Sequence, residues 1–456
     1  MYKILSLFAI PIIIFASFYH FIPTQRDLIL ITLLISTIIC WATSIIPNYQ
    51  TSLIFLFTAL LFSLSTKEII FSGFASGAFW LVFAGMLIAT AIKNVKLSDR
   101  FSDLFMKLKT PNYLKILIAV NIFSVLFSFV MPSSVGRVVL LVPIADMVAK
   151  NFGFKKEDKG YIGIVLTFIL STAIPAFAIL PANVPNMILA GLTNSIYHHE
   201  LLYSHYFLIN FLVFGFIKDI VIVALLYLLY KDTPTHLKQK PLKIPLSKDE
   251  KVVILATLVM LAFWMSDFIH HIPASIIAIV GVLFLASPAI NVIKIKDIKQ
   301  VNFASLLFVA AIIGLGNIVA HDHFIKNILT QTIDLYVPTN YPLINKMIIT
   351  SFMSFSGVFI TQPALPAIFT PMAAQLSQVT HFSLNQIFMM EVAAFSTVFV
   401  PFQTAPLLIG LALSNIKQIK IIKPLLLLAV ITVLFLYPLQ YYWMQFVETF
   451  IESSLF

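Results

Sequence analysis

Arg137 follows Ser133 by one helical turn, inside a run that is otherwise apolar. An arginine within an apolar segment of membrane length is costly and marks function by default. Its planar fork suits two-point contact with a carboxylate or an oxyanion, and its fixed charge could instead stand where a bound cation would sit. The structural alternative is a partner carboxylate, Asp146 or Asp219, or a side chain that reaches for the cytoplasmic interface. Three further polar clusters interrupt apolar runs: Pro181-Ala182-Asn183-Val184-Pro185-Asn186, Thr361-Gln362-Pro363 and Pro401-Phe402-Gln403-Thr404-Ala405-Pro406. Paired prolines remove backbone donors and break a helix. A break frees N–H groups at the start of one half-helix, which suit an anion, and carbonyls at the end of the other, which suit a cation. The candidate substrate-binding residues are therefore Ser133, Ser134, Arg137, Asn183, Asn186, Thr361, Gln362, Gln403 and Thr404.

Other residues carry less chemistry. Lys218 and Asp219 are neighbours in an apolar segment, and neighbours on a helix do not face each other, so each must meet a different partner. Glu391 stands before Thr404 and could carry a proton or face the interface. His270, His271, His321 and His323 lack the spacing of a metal site, and no nucleotide loop or nucleophile motif accompanies them. The chain offers no basis for an enzyme and calls for no cofactor.

The elements that must position these clusters are membrane helices. The 456 residues are 60% hydrophobic and 11% charged, with a mean hydropathy of +0.99. No soluble fold of this length hides so much apolar surface. The net charge of +10 reflects basic loops rather than nucleic-acid binding. Apolar segments at 4–22, 28–46, 50–65, 71–92, 161–190, 206–230, 252–270, 273–292, 301–320, 386–412 and 424–441 predict about eleven transmembrane helices.

Two more apolar stretches, 114–149 and 347–374, are broken near the middle by Met131-Pro132-Ser133-Ser134 and by Thr361-Gln362-Pro363. Most of the 29 lysines and arginines fall at Lys3 and in the stretches 93–115, 150–160, 231–251, 294–299 and 417–423, which the positive-inside rule makes cytoplasmic. The basic loops on both sides of 114–149 make it a hairpin entering from the cytoplasm. The weakly charged flanks of 347–374 make it a hairpin entering from outside. Gly153 and Thr235 are expected inside, and Ser195, Gln378 and Ser453 outside.

The two halves then repeat with opposite orientation. Segments 71–92 and 301–320 are equivalent, and Ser133 and Thr361 precede Pro143 and Pro371 by the same interval. Each hairpin is preceded by an amphipathic stretch, 97–108 or 322–335. The expected organisation is an N-terminal helix in 1–27, a first repeat in 28–230 with a broken helix at 161–190, and a cytoplasmic linker at 231–251. A second, inverted repeat follows in 252–441 with a broken helix at 386–412, then an external tail, 442–456. An all-α polytopic protein with inverted repeats, two re-entrant hairpins and two broken helices has the architecture of a secondary transporter with a midplane site.

With these motifs in place, the chain resembles the divalent anion/sodium symporters, which carry dicarboxylates, citrate or sulfate. The resemblance covers most of the chain after residue 25. Gly73-Phe74-Ala75-Ser76-Gly77-Ala78-Phe79-Trp80-Leu81-Val82-Phe83-Ala84-Gly85 is similar to the family's fourth span. The runs Ser133 to Pro143 and Thr361 to Pro371 resemble its two Ser-Asn-Thr hairpin motifs. Asn183-Val184-Pro185-Asn186 and Thr404-Ala405-Pro406-Leu407 resemble its two Thr-Pro-Pro-Asn breaks.

The resemblance implies a homodimer in a bacterial inner membrane that moves a small anion by an elevator motion, with Na⁺ as a coupling ion. It implies Ser133, Gly136, Thr361, Ala364 and Thr404 as cation ligands. The motifs depart from the family's, however. Ser134 and Val135 replace the first asparagine and threonine, and Thr361, Gln362 and Pro363 replace all three residues of the second motif. Valine and proline offer no side-chain oxygen, so weak or absent Na⁺ dependence is expected. The alternative function is a cation/proton antiporter on a related scaffold, with Asp219 or Glu391 as its carboxylate.

Overall fold

A computed structural model describes residues 2–22, 24–95, 97, 112–235 and 245–454. The expected amphipathic stretch 97–108 and the middle of the linker lie outside the described residues. The described chain is helical in every segment expected to be apolar and membrane-embedded, and no strand occurs among the described residues. Seven helices there are long and apolar enough to cross a membrane, and four shorter apolar ones accompany them. Large apolar side chains such as Phe57, Leu228, Leu283 and Phe435 are exposed, as lipid-facing positions require. The protein is a multi-pass membrane protein.

The chain forms two compact units that do not follow the two repeats. One comprises 1–80, 187–201 and 302–395, the other 81–186, 202–301 and 396–456. In the first, the helix Phe303–His321 is the core. It packs on Asn48–Leu61, Lys67–Ile70, Ser72–Ala75 and Leu365–Phe369. Its Asn317 amide donates to Ser72 Oγ (3.0 Å) and Ser195 Oγ (3.1 Å). The expected helix in 322–335 runs from His323 to Asp334, capped by Asp322, whose Oδ1 accepts from Ile325 N at 3.1 Å. Ile325 and Ile333 are its buried face.

In the second unit the core is Lys159–Ala173, buried at every position from Gly160 to Ala173. It is packed by Tyr113–Val130, Ser134–Asn151, Lys218–Tyr230 and Ala405–Ser414. Small residues permit this approach: a Cβ on Gly163 would lie 2.1 Å from the Tyr113 hydroxyl.

Both expected hairpins are two-armed with non-helical tips. The first has arms Tyr113–Val130 and Ser134–Asn151, and Ser133 caps the second arm by accepting from Gly136 N at 3.2 Å. A serine cap of this kind contributes about 1 kcal/mol. Its tip does not reach the end of a neighbouring span. Pro132 lies against Gly85, halfway along Gly77–Asn94, where a Cβ would meet Pro132 O at 3.1 Å. The second hairpin has Pro342–Ser356 as its entering arm and returns through Gln362–Ala364, Leu365–Phe369 and Ala373–Thr380, with Pro371 in a tight turn between them.

One expectation is corrected. The first broken helix opens earlier than the Pro181–Asn186 cluster: it stops at Ala173, because Pro175 cannot donate, and resumes at Val184. Residues 442–454, the start of the expected external tail, continue the helix Tyr437–Ser454, with Met444 and Val447 buried and Trp443 Nε1 donating to Leu208 O at 2.8 Å.

Contacts within each unit join loops that the charge pattern puts on one side. Thr235 N donates to Phe152 O (2.9 Å), Gly160 N donates to Asp232 (2.8 Å), and the Tyr230 hydroxyl donates to Lys420 O. At the expected outer side, Arg26 meets Asp322 at 2.7 Å and Leu64 O at 2.6 Å, and the buried Asp267 accepts from Tyr203 N and Ser204 N. Cysteine labelling in intact cells, with Cys40 replaced, checks the sidedness. Gly153 is a poor probe, since its φ of +84° and a Cβ 1.8 Å from Thr235 Oγ1 would strain any side chain. Lys155→Cys and Thr235→Cys are expected to be protected from an impermeant reagent, and Gln378→Cys to be labelled. The opposite pattern would contradict the hairpin directions.

Candidate functional site

Within the second unit, the tip Met131-Pro132-Ser133 and the break at 174–183 come together around Arg137. Arg137 is fully buried. Its guanidinium meets neither Asp146 nor Asp219. Asp146 is held by Lys150 (2.7 Å) and by the Tyr161 hydroxyl (2.7 Å), and Asp219, whose buried Oδ1 has no hydrogen-bond partner, forms no ion pair with Arg137. The structural alternative of a carboxylate partner is therefore not what the structure shows.

Arg137 instead donates to three backbone carbonyls: Nη1 to Met131 O, and Nη2 to Thr172 O (3.2 Å) and Ala182 O (3.1 Å). The reason lies in the breaks. Thr172 is in the last turn before Pro175, and Ala182 precedes Pro185, so both carbonyls lack their ordinary helical donors. The nitrogen Nε has no partner.

The asparagines complete the break. Ser134 Oγ donates to Asn183 Oδ1 at 3.2 Å, and the Asn183 Nδ2 group, also buried, has no protein acceptor. Asn186 donates to Ala176 O (3.0 Å) and Ile179 O (2.8 Å), and so braces the non-helical loop rather than facing a cavity with its amide N–H. Ser133 spends its oxygen on Gly136 N. A Cβ at Gly136 would come within 2.7 Å of Met131 Cε, so a larger residue there would need that flexible methyl to move aside.

The second break lies across the boundary at Phe395/Ser396. After Leu384–Phe395 the backbone is non-helical to Val400, turns through Pro401–Gln403 and resumes as Ala405–Ser414, which packs on Ser134–Asn151. Gln403 Oε1 accepts from Phe399 N (2.7 Å) and Val400 N (2.9 Å), while its buried Nε2 has no acceptor. Thr404 is buried and does not cap the helix that follows it. Lys218, expected to face away from Asp219, does so: Nζ donates to Ser396 O at 2.8 Å and stands 5.5 Å from the Phe214 ring.

Thr361, Gln362 and Ala364 belong to the first unit. Gln362 is fully buried with both amide atoms unpartnered, as is Thr361 Oγ1. Nearby in sequence, the Thr370 hydroxyl donates to Glu391 at 2.8 Å, and the Tyr197 hydroxyl donates to Thr370 O at 2.8 Å. Among the described residues no group of His, Cys, Asp and Glu could hold a metal ion.

Residues missed in the sequence are those that hold Arg137 through the backbone, Met131 and Thr172. Pro175 was the one available signal for Thr172.

A family model described as the sodium:sulfate symporter transmembrane region matches residues 1–449. YflS of Bacillus subtilis (strain 168), whose name proposes malate transport, is 25% identical over 276 residues, which cover 57% of this chain and 57% of that protein. The crystal structure of the Alcanivorax borkumensis YdaH transporter, described as having an unusual topology, aligns with 85% of this chain and 88% of its own at 14% identity and a TM-score of 0.49.

Proposed function

We propose that this chain, which belongs to the sodium:sulfate symporter transmembrane family, is a secondary transporter of a small divalent anion, a dicarboxylate or an inorganic oxyanion. One observation carries the reading. Each helix break contains a buried amide donor with no protein acceptor, Asn183 Nδ2 in the first and Gln403 Nε2 in the second. A buried unsatisfied donor costs about 1–3 kcal/mol, so its retention is explained if a ligand oxygen completes it. The helices that begin beside these amides, at Val184 and Ala405, present the positive ends of their dipoles to the same oxygens.

A divalent anion matches the two sets of donors with two acceptor ends. The name of YflS makes malate the first candidate, and the family description makes sulfate the second. Movement of the loaded site as an elevator within a homodimer is the expectation that accompanies this reading. The antiporter reading is weaker, since Asp219 and Glu391 lie within the helices Lys218–Tyr230 and Leu384–Phe395 rather than at a break, and Glu391 accepts from the Thr370 hydroxyl.

A thermal-shift panel on purified protein tests the function. A ligand that binds only the folded state stabilises it by about 2.7 kcal/mol at a hundredfold excess over Kd. Malate or sulfate is expected to raise Tm saturably, and Asn183→Ala to shift that rise to about tenfold higher ligand concentration with little change in its own Tm. No rise with any dicarboxylate or oxyanion would count against the reading.

A further inference from the structure

Each helix break in this chain carries a buried protein cation seated on backbone carbonyls. At the first, the Arg137 fork spans Met131 O, Thr172 O and Ala182 O. At the second, Lys218 Nζ lies 2.8 Å from Ser396 O and 3.4 Å from Ser396 Oγ, just past the end of Leu384–Phe395. Arg137 is 0% exposed and Lys218 1%. No carboxylate is within ion-pair distance of either among the described residues.

A buried charge is normally matched by an opposite one. Here the compensation comes from carbonyl dipoles that the breaks have stripped of their helical donors. Freed carbonyls converging in a membrane are also what a sodium ion would require. The first cluster cannot serve both purposes. The guanidinium occupies its oxygens, and a sodium ion among them would sit against a fixed positive charge. The neighbouring side chains do not supply a second shell for it, since Ser133 Oγ accepts from Gly136 N and Val135 has no oxygen.

We propose that Arg137 and Lys218 are resident cations, covalently attached at the two places where free carbonyls would otherwise draw a dissociable one, so that the anion moves without sodium. The part of this that concerns the anion rests on the transport reading above; the part that concerns the cation does not. The lysine and the arginine hold the positive charge through the whole cycle. Exchange of one anion for another then needs no ion gradient.

The test has three arms on the full-length protein. First, Tm is followed against NaCl and against choline chloride at matched ionic strength, with no divalent anion present. The wild type is expected to respond identically, and a saturable sodium-specific rise overturns the proposal. Second, uptake of labelled malate and of sulfate into proteoliposomes is compared in Na⁺ and in K⁺ at a clamped potential. Equal uptake is expected, whereas linkage to sodium would change apparent anion affinity by about fivefold or more and would overturn the proposal. No uptake in either salt speaks against the transport reading, and the first arm then decides the cation question alone. Third, Arg137→Ala uncovers the three carbonyls and is expected to gain a sodium-specific rise in Tm. A folded Arg137→Ala protein with a flat response overturns the proposal. Should that variant yield no folded protein, Lys218→Met is read in the same way, with the same two outcomes.

Discussion

Arg137→Ala is expected to lower the stability of the protein by about 1–3 kcal/mol, because the buried Ala182 O loses its donor. Met131 O keeps a second donor in Ser133 N at 2.8 Å, and Thr172 O keeps Ser128 Oγ at 3.5 Å. Arg137→Lys should recover only part of the loss. An ammonium keeps the charge but cannot present a planar fork to acceptors from three different stretches of backbone. Asp219→Asn should not compensate for Arg137→Ala, since the guanidinium meets backbone carbonyls and not Asp219. Thermal unfolding of the three variants in detergent measures all of this. An Arg137→Ala protein as stable as the wild type, or one restored by Asp219→Asn, would refute the carbonyl clamp.

Gly73→Ala should be at least as damaging, through a different mechanism. A Cβ on Gly73 would lie 2.0 Å from Ala310 O and 2.6 Å from Ala310 Cα, so backbone meets backbone and no side chain can swing aside. The same contact recurs at Gly314, whose Cβ would lie 2.4 Å from Ile70 O. These two positions let the short helices at Lys67–Ile70 and Ser72–Ala75 lie directly on Phe303–His321. Overpacking a core costs about 1–3 kcal/mol and more when only backbone can move. The expected result is a sharp loss of monodisperse protein after solubilisation for Gly73→Ala, and a similar loss for Gly314→Ala. Both variants behaving as wild type would show that the helices are not held in this contact.

The breaks and hairpin tips were legible because proline announces itself. Pro181 and Pro185, Pro401 and Pro406, and Met131-Pro132 each interrupt an apolar run, and at each the α-helix is broken: Pro181 and Pro401 lie in short 3-10 turns, Pro185 and Pro406 in the first turn of the helix that resumes. Lysine and arginine group the loops by expected side, and two of the loops so grouped touch one another at Thr235 and Phe152. The partners of Arg137 were not legible. A sequence displays carboxylates but not the carbonyls that a distant break sets free, so Asp146 and Asp219 looked like the candidates. Lys218 and Ser396 are far apart in the chain, and only the fold brings them together. Nor could the repeat pattern reveal that the compact units are assembled from pieces of both halves, which puts Thr361 and Gln362 in one unit and Ser133 and Asn183 in the other.

Counterflow of a labelled anion in proteoliposomes tests the central claim, that a divalent anion is carried by the amide donors at the two breaks. Wild-type protein is expected to exchange internal unlabelled malate or sulfate for the labelled species with saturation. Asn183→Ala and Gln403→Ala, with Tm near that of the wild type, should each weaken apparent affinity by about tenfold or more, the equivalent of roughly 1.5 kcal/mol for a hydrogen bond to a charged group. Absence of counterflow for both anions in the wild type, or unchanged affinity in both variants, would contradict the account.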